Sequence, residues 1–418
     1  MTLSRRNALR LLGTAAAIPL VSSPRRALAQ SSFPITGRAL PGMDALDAIV
    51  VPIMQAHGVP GVSIAIARDG KLKLARGYGY ANVQANTPMR PDTRIALASV
   101  SKVITGQTIL KLVDQGRVRL GDRAFDYFRD LAPPPGMRED PRLGDITIEM
   151  CLHHTGGWDR KTSGDPSGWG PRIMRALRLN QAPTPLEMIR YMKGVPLDFT
   201  PGTQQVYSNF GFALLGGVIA KVTSQGYPEV VQQVTLRPMG ASGLRVDDAP
   251  PRYLDGEARR YLIGSEHEVP GGNPRMVMAA GGWQASCVDM ARFITAIDGS
   301  RTGSTFLSAP TFEAMLSPAT GIQRPSQDHW MGLGWDYVQA YPGPDGSKRY
   351  SYGKDGGIGG IQAYLEHLAI GADFVLLVNS APGDTTTQPG GRQMIQPKLV
   401  DFIRQTPAPE GDLFASFT

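Results

Sequence analysis

The 418-residue sequence predicts an α/β fold of the α+β type: an antiparallel sheet flanked by helices, built from both chain ends, with a mostly helical segment inserted between them. Three observations carry this expectation. Alternating apolar positions flank an Asp-Gly turn early in the chain, two further strand-like runs stand near its end, and the Pro/Gly-rich middle shows helical patches with few clear strands. Strands at the two ends are economically satisfied in one sheet with helices on its faces.

The first 29 residues, MTLSRRNALRLLGTAAAIPLVSSPRRALA, read as an export signal: a basic start, an apolar run over Leu11–Val21, and Ala27-Leu28-Ala29 ahead of a cut. The run is too short to span a bilayer, and Pro19 and Pro24 argue against a helix of the mature fold. Ser4-Arg5-Arg6-Asn7-Ala8-Leu9 has the twin-arginine pattern, so a periplasmic or secreted bacterial protein with no stable membrane anchor is expected. The segment holds five arginines and no acid. Its removal leaves 38 basic against 36 acidic residues, a net charge of +2 in place of +7. Nucleic-acid binding thereby loses its electrostatic support.

Leu46, Ile49, Val50, Ile53 and Met54 form an apolar helical stripe that ends at Gly58, with Pro52 inside it. GVSIAIARDGKLKLARGYGYAN, residues 61–82, is a β-hairpin about Asp69-Gly70. IQAYLEHLAIGADFVLLVNS, residues 361–380, reads as two strands about Gly371-Ala372-Asp373, and residues 391–405 offer a closing helix. The expected division is an α/β domain of 30–130 with 266–418, and an insertion over 131–265 containing helices at Pro185–Lys193 and Asn209–Val222. Asp289 reads as a helix cap. Cys151 and Cys287 allow one disulfide outside the cytoplasm, though both read as small buried hydrophobes. The histidines show no metal-ligand spacing, and no metal or cofactor is expected.

Function turns on ALASVSKVITG, residues 96–106. Ser99 precedes an apolar helical pattern, which suits a capping serine; Lys102, three residues on, suits a nucleophile with its base one turn away. Spacing alone does not decide, because Ser351-Tyr352-Gly353-Lys354 repeats the pattern. Context does. QQVYSNFGFALLGGVIAKV places Tyr207-Ser208-Asn209 at the entrance of an apolar helix, YSYGKDGGIGGIQAYLE places Lys354-Asp355-Gly356-Gly357 before a strand, and MCLHHTGGWDR supplies His154-Thr155-Gly156-Gly157. Taken singly, Tyr207 could anchor a helix, Lys354 could be a solvated charge and the glycines ordinary turns.

In that order the stretches resemble the penicillin-recognising serine hydrolases, in the branch of class C β-lactamases, D-alanyl-D-alanine carboxypeptidases and family VIII carboxylesterases. The similarity runs from about Leu46 to Ile403 and includes FTPGTQQVYSN, AAGGWQASCVDMARF and MGLGWDY. Tyr80-Ala81-Asn82, which precedes Ser99, and Ser351, in a strand where i and i+3 do not share a face, are set aside.

The resemblance implies a β-lactamase/transpeptidase-like fold, Ser99 as acylated nucleophile, and Lys102 with Tyr207 as the base system. Burial and the nearby Lys354 cation favour a neutral Lys102, and the two lysines are expected to draw Tyr207 towards phenolate. The oxyanion would rest on the backbone N–H groups of Ser99 and Gly357. Asn209 would hold the acyl amide or carbonyl and orient Lys102, and Gly356 would let substrate approach the strand. His154 would shape its loop. Asp355 stands where the family has a threonine that helps bind substrate carboxylates. A carboxylate beside Lys354 disfavours such substrates, so an ester, lactone or amide with a neutral or basic acyl partner is expected. The other expectations are a D,D-carboxypeptidase or β-lactamase acting on cell-wall peptides or β-lactams, and a non-catalytic penicillin- or wall-binding protein. No Gly-x-Ser-x-Gly elbow supports an α/β-hydrolase.

Overall fold

The computed structural model describes residues 33–418 except 247–252, 254–255, 271–274, 324–325, 327, 344–345, 384–387 and 418. The export-signal expectation therefore lies outside the described residues.

The N-terminal segment supplies β1 (Ile35–Ala39), α1 (Asp47–His57), the hairpin β2 (Gly61–Arg68) and β3 (Lys71–Asn82), the short β4 (Thr87–Pro88) and β5 (Ile95–Ala96), and α2 (Ser101–Asp114). Gly58 closes α1 in the left-handed conformation at φ 66°, the usual helix stop, and Pro52 is accommodated within the helix. The middle of the chain gives α3 (Ile148–Leu152), α4 (Gly170–Leu177), α5 (Pro185–Met192), α6 (Asn209–Thr223), α7 (Tyr227–Val231), β6 (Arg245–Val246) and β7 (Tyr261–Leu262). The last third gives α8 (Met278–Gly281), β8 (Trp283–Ala285), α9 (Cys287–Ile297), α10 (Ala309–Leu316), β9 (His329–Trp330), β10 (Tyr337–Pro342), β11 (Lys348–Ile358), β12 (Ile361–Leu368), β13 (Ala372–Val378), β14 (Ser380–Ala381) and α11 (Gly391–Gln405).

The two ends of the chain do share a sheet. Its order is β1-β3-β2-β13-β12-β11-β10-β9, antiparallel throughout, and β2 pairs with β13 through Ile66 opposite Phe374 and Val62 opposite Val378. Nearly every residue of β2, β12 and β13 is buried, so the central strands are covered on both faces: α9 packs on β2 and β13, and α11, with α1 against it, packs on β12 and β13. The β12–β13 turn falls at 369–371, earlier than expected. Gly371 takes φ 75°, and Ala372 already pairs with Arg68. Asp289 is the third residue of α9, not its cap: Ser286 accepts the Asp289 N–H, and the Ser286 hydroxyl donates to the Asp289 carboxylate. Cys151 and Cys287 are buried and unpaired.

Two helices matter most for the site. α6 is apolar on nearly all sides, and α2 is buried from Ser101 to Leu110; helices of this kind belong inside a domain. They pack on each other and on α8, so their N-terminal ends meet in the interior. Capping fixes both the helix α5, by a Thr184–Glu187 box, and the start of α6, where the Ser208 hydroxyl accepts the Gly211 N–H. A small sheet, β5-β8-β6, ties the segment before Ser99 to β8, and the Leu97 N–H donates to the Trp283 carbonyl at 2.8 Å.

Candidate active site

Ser99 sits in a tight 3-10 turn, Ala98–Val100, that leads into α2. It caps nothing: no side chain caps this turn or α2, which disposes of the capping alternative. Ala98 is held at φ 44°, a left-handed conformation that costs a non-glycine residue on the order of 1 kcal/mol, just after the β5–β8 pairing of Ile95 and Ala96. Strand β11 presses on this turn. A Cβ on Gly356 would lie 2.4 Å from the Leu97 carbonyl oxygen and 2.9 Å from the Ser99 nitrogen, so only glycine fits there. Gly357, the next residue, is exposed.

Lys102 is fully buried, with Nζ 3.2 Å from Ser99 Oγ. The amine also donates to Asn209 Oδ1 and to the Ala280 carbonyl, both at 2.7 Å. Burial first, and then the Lys354 charge, hold its pKa well below that of an ordinary lysine. A neutral amine has two N–H groups and one lone pair; two carbonyl acceptors and one hydroxyl match that inventory.

Tyr207 Oη lies 2.7 Å from Ser99 Oγ. Its ring stacks on His154 at 4.5 Å between centroids, and Lys102 and Lys354 stand 4.8 and 5.0 Å from the ring centroid. The expectation of a phenolate is corrected. Burial raises the phenol pKa by more than Lys354 lowers it, so Tyr207 keeps its proton and donates it to Ser99 Oγ. His154 does more than shape a loop: buried, kept neutral by desolvation, and at φ 60°, it accepts the Ser208 N–H on Nδ1 and supports the Tyr207 ring.

Lys354 is fully buried. Its partner is Asp336, the acid of MGLGWDY, which no motif in the sequence marks as a counter-charge. Burial lowers the lysine pKa, but the Asp336 carboxylate, together with Tyr207 and Asp355, outweighs it and holds the pKa above the usual value, so Lys354 is a fixed cation. Asp355, read from the sequence as a carboxylate beside Lys354, is not the ion-pair partner of that lysine. Successive strand residues face opposite ways, and Asp355 pairs with Arg392 of α11 at 3.1 Å, while its backbone N–H reaches Asp336 Oδ2 at 3.3 Å. Burial and the nearby Asp336 charge push the Asp355 pKa up.

Sequence reasoning also missed Asp165. Its Oδ2 accepts the Asn209 amide at 2.6 Å while its Oδ1 accepts the Ser167 N–H, fixing Asn209 with its carbonyl towards Lys102. Asp-Pro-Ser signals the local turn, but nothing local signals the contact with Asn209 44 residues away. The decoys separate as expected: Ser351 Oγ accepts the Ala369 N–H within the sheet, and Asn82 closes a turn with Ala85.

A serine hydroxyl between a buried lysine and a tyrosine, at the junction of a helical layer and an antiparallel sheet, defines a serine hydrolase of the Ser-x-x-Lys type. The chain belongs to the beta-lactamase family, whose model matches residues 46–394. It is 26% identical over 347 residues to the D-alanyl-D-alanine-carboxypeptidase/endopeptidase AmpH of Escherichia coli K12, covering 81% of this chain and 84% of that protein. Its fold is similar to that of the D-amino acid amidase of Ochrobactrum anthropi SV3, at a TM-score of 0.67 and 22% identity over 86% of this chain and 98% of that one. The D-alanine carboxypeptidase AmpC of Burkholderia cenocepacia follows at 0.64 and 20%, over 86% and 97%.

Proposed function

We propose that this serine hydrolase forms an acyl-enzyme on Ser99 and acts on an ester, lactone or amide. The observation that carries the reading is Ser99 Oγ held between the Tyr207 hydroxyl, which donates to it at 2.7 Å, and the Lys102 amine at 3.2 Å, set beside the fixed Lys354 cation. Ser99 Oγ attacks the carbonyl carbon as its proton passes to Lys102. The oxyanion is received by the backbone N–H groups of Ser99 and Gly357. The carbonyl–heteroatom bond then breaks, the leaving atom takes the Tyr207 proton, and the proton held by Lys102 restores the phenol. Water repeats the sequence in reverse and releases the acid. Asn209, held by Asp165, keeps Lys102 in place and has one amide hydrogen left for the substrate carbonyl.

The strand edge of the cleft is charge-balanced: Lys354 is compensated by Asp336, and Asp355 by Arg392. This supports a substrate that is neutral where it meets β11, hence an esterase or amidase. D,D-carboxypeptidase or β-lactamase action is the second reading, supported by the similarity to the D-alanyl-D-alanine-carboxypeptidase/endopeptidase AmpH. A non-catalytic wall-binding role is disfavoured by the complete Ser99, Lys102 and Tyr207 set. We further propose export through the N-terminal signal and a small-molecule or peptide substrate. The test is turnover of short-chain nitrophenyl esters, nitrocefin and D-amino-acid amides by the purified mature protein, with Ser99→Ala and Ser351→Ala compared. Turnover and an acyl adduct that vanish only in Ser99→Ala support the reading. An adduct elsewhere, or stable penicillin labelling without turnover of any substrate, overturns it.

A further inference from the structure

The acids of the cleft are all engaged: Asp165 with Asn209, Asp336 with Lys354, and Asp355 with Arg392. One cation is not. Arg160, in the loop that follows α3, is exposed, and its guanidinium lies 5.3 Å from the centroid of the Tyr207 ring, whose hydroxyl touches Ser99. The acid beside it in sequence does not neutralise it. Asp159 turns back on its own loop, accepting the Lys161 N–H at 2.8 Å and the Thr162 hydroxyl at 3.0 Å.

The loop is also held rigidly. The Asp159 N–H donates to Asp198 Oδ2 at 2.7 Å, and the Asp198 N–H donates to the Gly157 carbonyl at 2.9 Å. Among the described residues, Arg160 is thus a positioned, uncompensated fork of N–H donors one tyrosine ring away from the reacting hydroxyl. Its charge reaches Lys102, where it adds to the forces that keep that amine neutral. A guanidinium in such a place matches the two oxygens of a carboxylate, and stacking on an aromatic ring restricts its rotamers before binding.

We propose that Arg160 is a specificity-determining residue that receives a carboxylate of the substrate on the helical side of the cleft, away from the charge-balanced β11 edge. The inference rests on the acyl-enzyme hydrolase reading above. It makes the substrate an anionic ester or amide whose charge is remote from the scissile bond, carried on the acyl chain or on the leaving group.

Two matched pairs of esters distinguish these sources: mono-para-nitrophenyl adipate against para-nitrophenyl hexanoate, and para-(butyryloxy)benzoate against phenyl butyrate. The quantity to compare is the charged-to-neutral ratio of kcat/KM in wild type, Arg160→Gln, Arg160→Lys and Arg160→Glu. For one pair the ratio should fall about fivefold in Arg160→Gln, the scale of an exposed ion pair, further in Arg160→Glu, and little in Arg160→Lys. Raising the salt concentration should shrink the wild-type preference. An identical ratio in wild type and Arg160→Gln for both pairs overturns the assignment of Arg160 alone. If wild type hydrolyses none of the four esters, or Ser99→Ala hydrolyses them as well as wild type does, the hydrolase reading falls and this inference falls with it.

Discussion

Asp336 holds the ammonium of Lys354 in an ion pair under the Tyr207 ring, with the lysine completely removed from solvent and the acid about a quarter exposed on its side chain. Removing one member of such a pair strands the other charge, which costs roughly 3–5 kcal/mol. Asp336→Asn should therefore lose about 3 kcal/mol in denaturant unfolding, the lower end because Asp336 is not fully enclosed. Asp336→Asn with Lys354→Met should recover most of the stability and none of the activity. The pH window follows from the signs. The Lys354 pKa is raised, so its contribution is complete below pH 10.5 and fades as the pH rises through the raised value. The Asp336 pKa is lowered, so its contribution is complete above pH 3.8 and fades as the pH falls through the lowered value. The wild-type advantage should be flat in between; a difference that varies steeply near pH 7 would contradict the pairing.

Lys102 has the opposite sign. Its folded pKa is depressed, so below pH 10.5 the unfolded chain binds a proton that the folded protein refuses, and stability rises with pH across that window. Lys102→Met should stop acylation and remove this contribution, so that the variant's stability rises less steeply with pH than the wild type's below pH 10.5. Calorimetry in which the stabilities of Lys102→Met and wild type change with pH in parallel would refute the depressed Lys102 pKa. The same assignment places the acid limb of kcat/KM at the lowered Lys102 pKa. Lys354→Ala, by removing the second cation, should move that limb to higher pH.

Tyr207 is the proton donor in this arrangement, protonated well into the alkaline range because burial raises its pKa. Tyr207→Phe keeps the ring on His154 and deletes the hydroxyl on Ser99. It should slow turnover on the order of a hundredfold or more, the usual worth of a positioned acid. Near-normal turnover would remove Tyr207 from the proton path.

The fold was largely legible because its signals are local. Alternation and an Asp-Gly turn define the β2–β3 hairpin, and an apolar run behind Ser208 defines α6. Ser99, Lys102, Tyr207 and Lys354 were legible as an ordered set, and the structure brings them together. The counter-charges were not. Asp336 is 18 residues from Lys354, and Asp165 is 44 from Asn209; both pairs join separate elements, so no pattern within one helix or strand ties them. The charge state of Tyr207 was misjudged for a related reason: sequence counts neighbouring lysines but carries no measure of desolvation.

Residues 1–29 make a separate prediction about processing. The mature protein should begin at Gln30 outside the cytoplasm, and Arg5-Arg6→Lys-Lys should block its export through the twin-arginine route. N-terminal sequencing of periplasmic protein that returns Met1 would contradict it.

Asp355 tests where specificity lies along β11. Its carboxylate, 49% exposed, neutralises Arg392, which also stacks over Tyr364 at 5.3 Å, so the wild-type edge offers a substrate no unpaired charge. Asp355→Thr removes that carboxylate and with it a repulsion from Asp336 that pushes the Asp355 pKa up. Arg392 is then free to meet a substrate carboxylate near the strand. The variant should raise kcat/KM for carboxylate-bearing β-lactams or D-alanyl peptides relative to neutral esters by about tenfold, equivalent to about 1.4 kcal/mol of differential binding. Since a half-exposed ion pair contributes at most about 1 kcal/mol to folding, stability should change little. Arg392→Gln placed on top of Asp355→Thr should abolish the gain, which assigns it to the freed guanidinium. Equal changes for charged and neutral substrates, or a parallel loss of stability and of every activity, would mean that Asp355 only braces the strand against α11.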